Sequence, residues 1–185
     1  MTGRLDGMEI AFLATDMVEE PELVGPWDWL SREGAFLDLV SPNDVEVQLF
    51  RHYDRSATRP VDRHLDNADP AAYDALVLPG GVGNPDTLRT LPAAVGFVRA
   101  FFDAGKPVGA ICHAPWLLIE ADVVRGRYVT SWPSVSTDLR NAGANFVDRD
   151  VVVDGNLVTS RQPDDIPAFN AALVDVFAEA FTPAR

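Results

Sequence analysis

The 185-residue chain carries 28 acidic against 15 basic residues, a formal net charge of −13. That balance repels phosphate backbones and anionic lipid and weighs against nucleic-acid or membrane-surface binding. A hydrophobic fraction of 47% with one cysteine fits a globular domain with a real core, no intrachain disulfide and no cysteine-built metal site, so neither cofactor nor metal is expected.

Residues 1–7 have no basic-then-apolar signal pattern and read as a flexible lead. The longest apolar run, around 107–119, is broken by His113 and Pro115 and is too short for a bilayer, so a cytoplasmic protein is the default expectation. Residues 8–14 read as a first buried strand. A helix is expected over about 20–33, with Leu23, Trp27 and Leu30 on one face and Gly34 at its end. Residues 35–40 form a second strand, and 45–50 alternate as an exposed or edge strand. The polar stretch 51–74 predicts a loop with short elements, and its histidines, His52 and His64, read as surface residues. Residues 75–78 are a third buried strand running into Pro79, Gly80 and Gly81. A helix over 91–104 ends at Gly105, and a strand over 106–111 runs directly into a helix over 114–121. A strand at 128–131, a short helix at 134–142, strands at 145–153 and 157–160 joined by an Asp154-Gly155 turn, and an amphipathic helix over 164–181 complete the chain. That last helix turns Ile166, Phe169, Leu173, Val174 and Phe177 inward.

Apolar strands alternating with helices predict one α/β domain, a mostly parallel sheet covered on both faces. Function in such sheets gathers at the carboxyl ends of the strands. Residues 16–21, 79–84 and Cys112–His113 fall there together.

Cys112 lies where a strand turns sharply into a helix, flanked two residues away by the small Ala110 and Ala114. A nucleophile on such a turn is exposed above the sheet beside unpaired helix N–H groups, which favour the reactive thiolate. His113 points about 100° away along a helix, so direct abstraction of the thiol proton is not assured, but it can act as general acid or base in the same pocket. Glu20 and Glu22 read as acids complementing a helix N-terminus, whereas Glu19 lies in the crevice loop within reach of Cys112. Gly80 and Gly81 can bring backbone N–H groups close to an oxyanion. Trp27, Trp29 and Trp116 read as core residues, and Trp132 as pocket lining. The competing reading of Cys112 is a buried structural thiol.

The ordered set DMVEEPEL (16–23), LVLPGG (76–81), GKPVGAICHAP (105–115), DVVRGR (122–127), NAG (141–143), VVVDG (151–155) and TSRQPDD (159–165) resembles the ThiJ/PfpI superfamily, in its PfpI-type intracellular protease and deglycase branch. The likeness runs from about residue 8 to 180. It implies a flavodoxin-like three-layer sandwich with Cys112 as nucleophile, hydrogen-bonded to a protonated glutamate at Glu19. It also implies that His113 is oriented by an acid from a neighbouring subunit, matched here by Asp86 in a loop, PGGVGNPD (79–86), that is one residue longer than in the branch. Gly81 and the Cys112–His113 backbone would form the oxyanion hole. The implied substrates are small carbonyl compounds, peptides or glycated proteins, and the implied assembly is a homodimer or larger, with Trp29 and residues 85–88 offering apolar contact.

Three other classes compete with this reading. Glutamine amidotransferases share an elbow cysteine but need a histidine downstream of it, and His52, His64 and His113 supply none. A redox-sensing or protective stress protein would use oxidation of the same thiolate at Cys112. A small-ligand binding module would need neither His113 nor Glu19.

Overall fold

The computed structural model describes residues 3–181. In chain order the elements are β1 (Glu9–Leu13), β2 (Val18–Glu19), α1 (Glu20–Arg32), β3 (Phe36–Ser41), β4 (Glu46–Arg51), β5 (Asp54–Pro60), β6 (Arg63–His64) and β7 (Ala75–Leu78). They continue as α2 (Gly83–Leu88), α3 (Pro92–Asp103), β8 (Val108–Ile111), α4 (Pro115–Glu120), β9 (Tyr128–Val129), α5 (Ser136–Asn141), β10 (Asn145–Phe146), β11 (Val151–Asp154), β12 (Leu157–Ser160) and α6 (Ile166–Ala180).

Seven strands form the central sheet in the order β11-β12-β8-β7-β1-β3-β6, parallel except where β11 pairs antiparallel with β12. Both faces are covered, as the apolar runs require. Ile10, Phe12, Ala75 and Val77 pack under α1 and α6, against Leu23, Leu30, Phe169 and Phe177. The alternate residues Ala11, Leu13, Leu76 and Leu78 pack on the other face with Phe97 and Phe101 of α3 and Leu117 of α4. The chain winds from β1 to β3 on one side and from β7 to β8 on the other. The carboxyl ends of β1 and β7 therefore flank a crevice, the usual place for a ligand in such a sheet.

Several expectations are corrected. Residues 54–60 are a strand rather than loop: β5 pairs antiparallel with β4 in a small sheet that also holds β2. Its residues are polar and mostly exposed, so backbone pairing holds it without an apolar period. The expected strand over 145–153 is two strands, with β10 parallel to β9 and β11 on the central sheet. Helix α2 occupies part of the expected Pro/Gly-rich loop. Residues 3–7 are docked: Leu5 is fully buried and its N–H reaches Glu33 O (2.9 Å). Residues 1–2 of the expected flexible lead lie outside the described residues. Trp29 is exposed, while Pro85 and Leu88 are buried.

Helix α6 crosses β8 so closely that a Cβ on Gly109 would sit 2.3 Å from Leu173 Cδ2 and 3.3 Å from Phe169 Cζ. Gly109→Val should therefore cost about 1–3 kcal/mol through overpacking. Thermal unfolding would register this as a lowered Tm, and an unchanged Tm would mean that α6 can stand off from the sheet.

Candidate active site

The turn after β8 places Cys112 at φ 65°, a left-handed conformation that a non-glycine residue adopts only when its surroundings enforce it. Here the peptide is held on both sides. Cys112 N–H donates to Ser160 O at the end of β12 (3.1 Å), and Cys112 O accepts the Trp132 N–H (2.9 Å). Helix α4 then begins with Pro115 and runs for only 6 residues, so what it offers the sulfur is local N–H groups rather than a long helix dipole.

The carboxyl against this sulfur belongs to Glu22, not Glu19. Glu22 is fully buried in the first turn of α1, its Oε2 accepts the Gly80 N–H (3.0 Å), and its carboxyl stands beside the Cys112 side chain, both against Gly80. Its Oε1 forms no hydrogen bond with the other polar atoms of the described residues. Burial, the largest cause, pushes its pKa up to about 8, so it is protonated at neutral pH and can donate to sulfur. Glu19 stands one step earlier, paired through β2 with β4, and its Oε2 accepts the His52 N–H (3.0 Å) at the cavity wall. The signal for Glu22 was present in the chain. With 3.6 residues per turn it shares a face with Pro26 and Leu30, and an acid on the buried stripe of a helix is unusual.

Burial and the neighbouring Glu22 push the Cys112 thiol above its ordinary range, against the expectation of a depressed value, while the Gly81 and His113 backbone N–H groups pull it down. A base close to the sulfur becomes the more important for that reason. His113 provides it, with Nδ1 3.1 Å from Sγ, and burial lowers the imidazole's pKa so that it is neutral and able to accept a proton. Its Nε2 lies 3.3 Å from Ser134 Oγ, a partner that sequence reasoning missed because Ser134 sits 21 residues away in a short 3-10 turn. The Trp132 ring stacks on the imidazole at 5.8 Å between centroids, and the Trp116 ring approaches from another side at 5.1 Å. Trp116 is thus a site residue rather than core.

Of the two glycines expected to serve an oxyanion, Gly80 has its N–H committed to Glu22, which leaves Gly81 and His113 as the amides that bear on the sulfur. These groups open on a cavity of about 440 Å³ lined by Glu19, His52, Gly81, Cys112, His113 and Trp132, among others. Asp86 is not in it. It sits exposed on α2, 3.9 Å from Arg89, in a shallow cleft on the Trp116 and Asp138 side. His64 also lies apart, with Nε2 near Pro42 O (3.1 Å). Among the described residues no group of three His, Cys, Asp or Glu side chains could hold a metal ion, and no helix is long and apolar enough to cross a membrane.

The model of the DJ-1/PfpI family matches residues 8–176. The chain is 45% identical over 163 residues to protein/nucleic acid deglycase 2 of Escherichia coli, covering 88% of this chain and 93% of that one. It is 40% identical over 162 residues to deglycase PfpI of Pyrococcus furiosus, covering 88% and 95%. Among solved structures, Drosophila melanogaster DJ-1beta superposes with a TM-score of 0.82 at 27% identity, covering 94% of this chain and 95% of that one.

Proposed function

Since the chain belongs to the DJ-1/PfpI family, we propose that it is a cysteine-dependent deglycase, a cytoplasmic hydrolase that uses Cys112 on the carbonyl adducts of amines. The observation that carries this reading is the thiol within 3.1 Å of a neutral imidazole, beside a protonated carboxyl and two backbone donors. As the sulfur bonds to the adduct carbon that carries the amine, its proton passes to His113 Nδ1. The developing oxyanion takes the N–H groups of Gly81 and His113. His113 returns the proton to the departing amine as its carbon–nitrogen bond breaks, and water then replaces the sulfur on that carbon, restoring the thiol and releasing the aldehyde as its hydrate. Small glycated amines and glycated peptides fit this chemistry. The charge of −13 argues against polynucleotides as substrates.

Among the described residues no carboxylate hydrogen-bonds His113. An acid from a second copy would complete the site, and Asp86, exposed on α2, is the candidate in a homodimer or larger assembly. One experiment addresses both ideas by following release of free amine from a methylglyoxal-glycated amino acid. Cys112→Ser should abolish it, and retained activity would end the cysteine-dependent reading. Asp86→Ala should lower it strongly. Mixed with Cys112→Ser after subunit exchange, it should regain part of it, because some sites then combine an intact Cys112 with an intact Asp86. No recovery despite demonstrated exchange would remove Asp86 from the mechanism.

A further inference from the structure

The cavity above Cys112 does not end at Trp132. Glu19, His52, Trp132 and Pro163 line it and also line a second cleft of about 570 Å³, which Pro21, Arg51, Gln162 and Asp164 complete. One wall of that second cleft is the segment 162–164, which has a single 3-10 turn over Pro163–Asp165 and no strand pairing. What fixes this wall is Arg161. Its Nε donates to Asp165 Oδ2 (2.9 Å), its Nη1 to Asp148 Oδ1 (2.8 Å) and its Nη2 to Asp150. Asp148 and Asp150 are themselves exposed, and a lone pair of that kind would hold little. Here three carboxylates converge on one guanidinium that is only 22% exposed, and its rigid fork of donors fixes all of them together. The same strand end is tied to the nucleophile through Ser160 O and the Cys112 N–H.

We propose that the second cleft is a subsite for the polypeptide that carries the adduct, and that Arg161 is a positioning residue holding its wall. This rests on the carbonyl-adduct reading of the Cys112 cavity. A small carbonyl fits within the first 440 Å³, and whatever is attached to it through an amine continues between Glu19 and Pro163 into the second cleft. There Pro21, Trp132 and Pro163 offer apolar surface to a chain. Glu19 and Asp164 offer carboxylates to basic side chains, while the charge of Arg51 is already engaged by Glu20 (2.6 Å). The preferred substrate is thus a glycated basic peptide rather than a free glycated amino acid.

With one cysteine in the chain, covalent labelling reads access to the site without needing turnover. Two reagents are compared, iodoacetamide and a chloroacetamide carried on the lysine side chain of a short basic peptide. The peptide reagent should label the wild type with saturation. In Arg161→Gln its half-saturating concentration should rise about tenfold, the loss expected for a weakened subsite. The iodoacetamide rate should stay within about twofold, because the Ser160 O–Cys112 N–H bond that ties this strand end to the nucleophile is made by backbone and not by the Arg161 side chain. Asp148→Asn with Asp150→Asn keeps the Arg161–Asp165 pair and should shift the peptide reagent alone, by less. It serves as the readout if Arg161→Gln proves poorly folded. Linear kinetics for the peptide reagent in the wild type, or equal slowing of both reagents in a folded variant, would overturn the proposal. Saturable peptide labelling without turnover of any glycated compound would instead sink the deglycase reading and leave the subsite standing.

Discussion

Glu22→Leu should lower the deglycase rate about a hundredfold, the usual effect of deleting one donor aimed at developing charge, whereas Glu22→Gln should keep most of it. Leucine removes the proton that faces the sulfur and strands the Gly80 N–H, now accepted by Glu22 Oε2. Glutamine can supply a donor to the sulfur and an acceptor to Gly80 at once. The pH profile separates charge from shape. Above about pH 8 Glu22 ionises in the wild type and places a negative charge beside the sulfur, so activity should fall there, and Glu22→Gln should lose that alkaline limb. Stability should follow the same group. An unfolded chain releases this proton near 4.5, while the folded protein holds it to about 8. Between those values the folded state binds more protons, so the contribution of Glu22 is fully present below 4.5 and is lost as pH rises through 8. Chemical denaturation across this window should show a steeper decline in the wild type than in Glu22→Gln. Parallel curves, with equal activity in the Leu and Gln variants, would make Glu22 a packing residue.

Gly80→Ala should be as damaging with a single methyl group. A Cβ there would lie 2.5 Å from Glu22 Oε2, 2.6 Å from Cys112 Cβ and 2.7 Å from Ile111 O. Two of these belong to the elbow itself, one a backbone oxygen and one a Cβ fixed to the backbone, so neither can rotate away. The strand end or the elbow must move, and a shift of about 1 Å at a reacting group can cost a hundredfold in rate. Loss of amine release, together with a changed alkylation rate at Cys112, is the expected result. A fully active Gly80→Ala would show that the elbow has slack its geometry does not suggest.

The central strands could be read from the chain because they are apolar on both faces. Residues 75–78 and 108–111 are buried throughout, and each run stands beside glycine and proline in the chain. Strand β5 could not, since DRSATRP has no apolar period and its reason for pairing lies in β4. The break between β10 and β11 was hidden for a related reason: an apolar run does not record which neighbour each half pairs with. At the site, a lone cysteine at a strand-to-helix junction made the elbow visible, and His113 came with it. Choosing between Glu19 and Glu22 needed the helical phase of α1, which puts one at the cavity wall and the other under the sulfur. Ser134 had no local signal, because its nearness to His113 comes from the Trp132 N–H bonding to the Cys112 carbonyl.

The two indoles beside His113 have a practical consequence. Trp116 and Trp132 are two of the four tryptophans in the chain, and their rings are the ones set against the imidazole. Indole emission is quenched by a nearby imidazolium and much less by neutral imidazole. The protein thus carries its own optical gauge of the charge on His113. Fluorescence followed through a reaction cycle would report when that proton arrives and leaves, with no label attached and no residue altered.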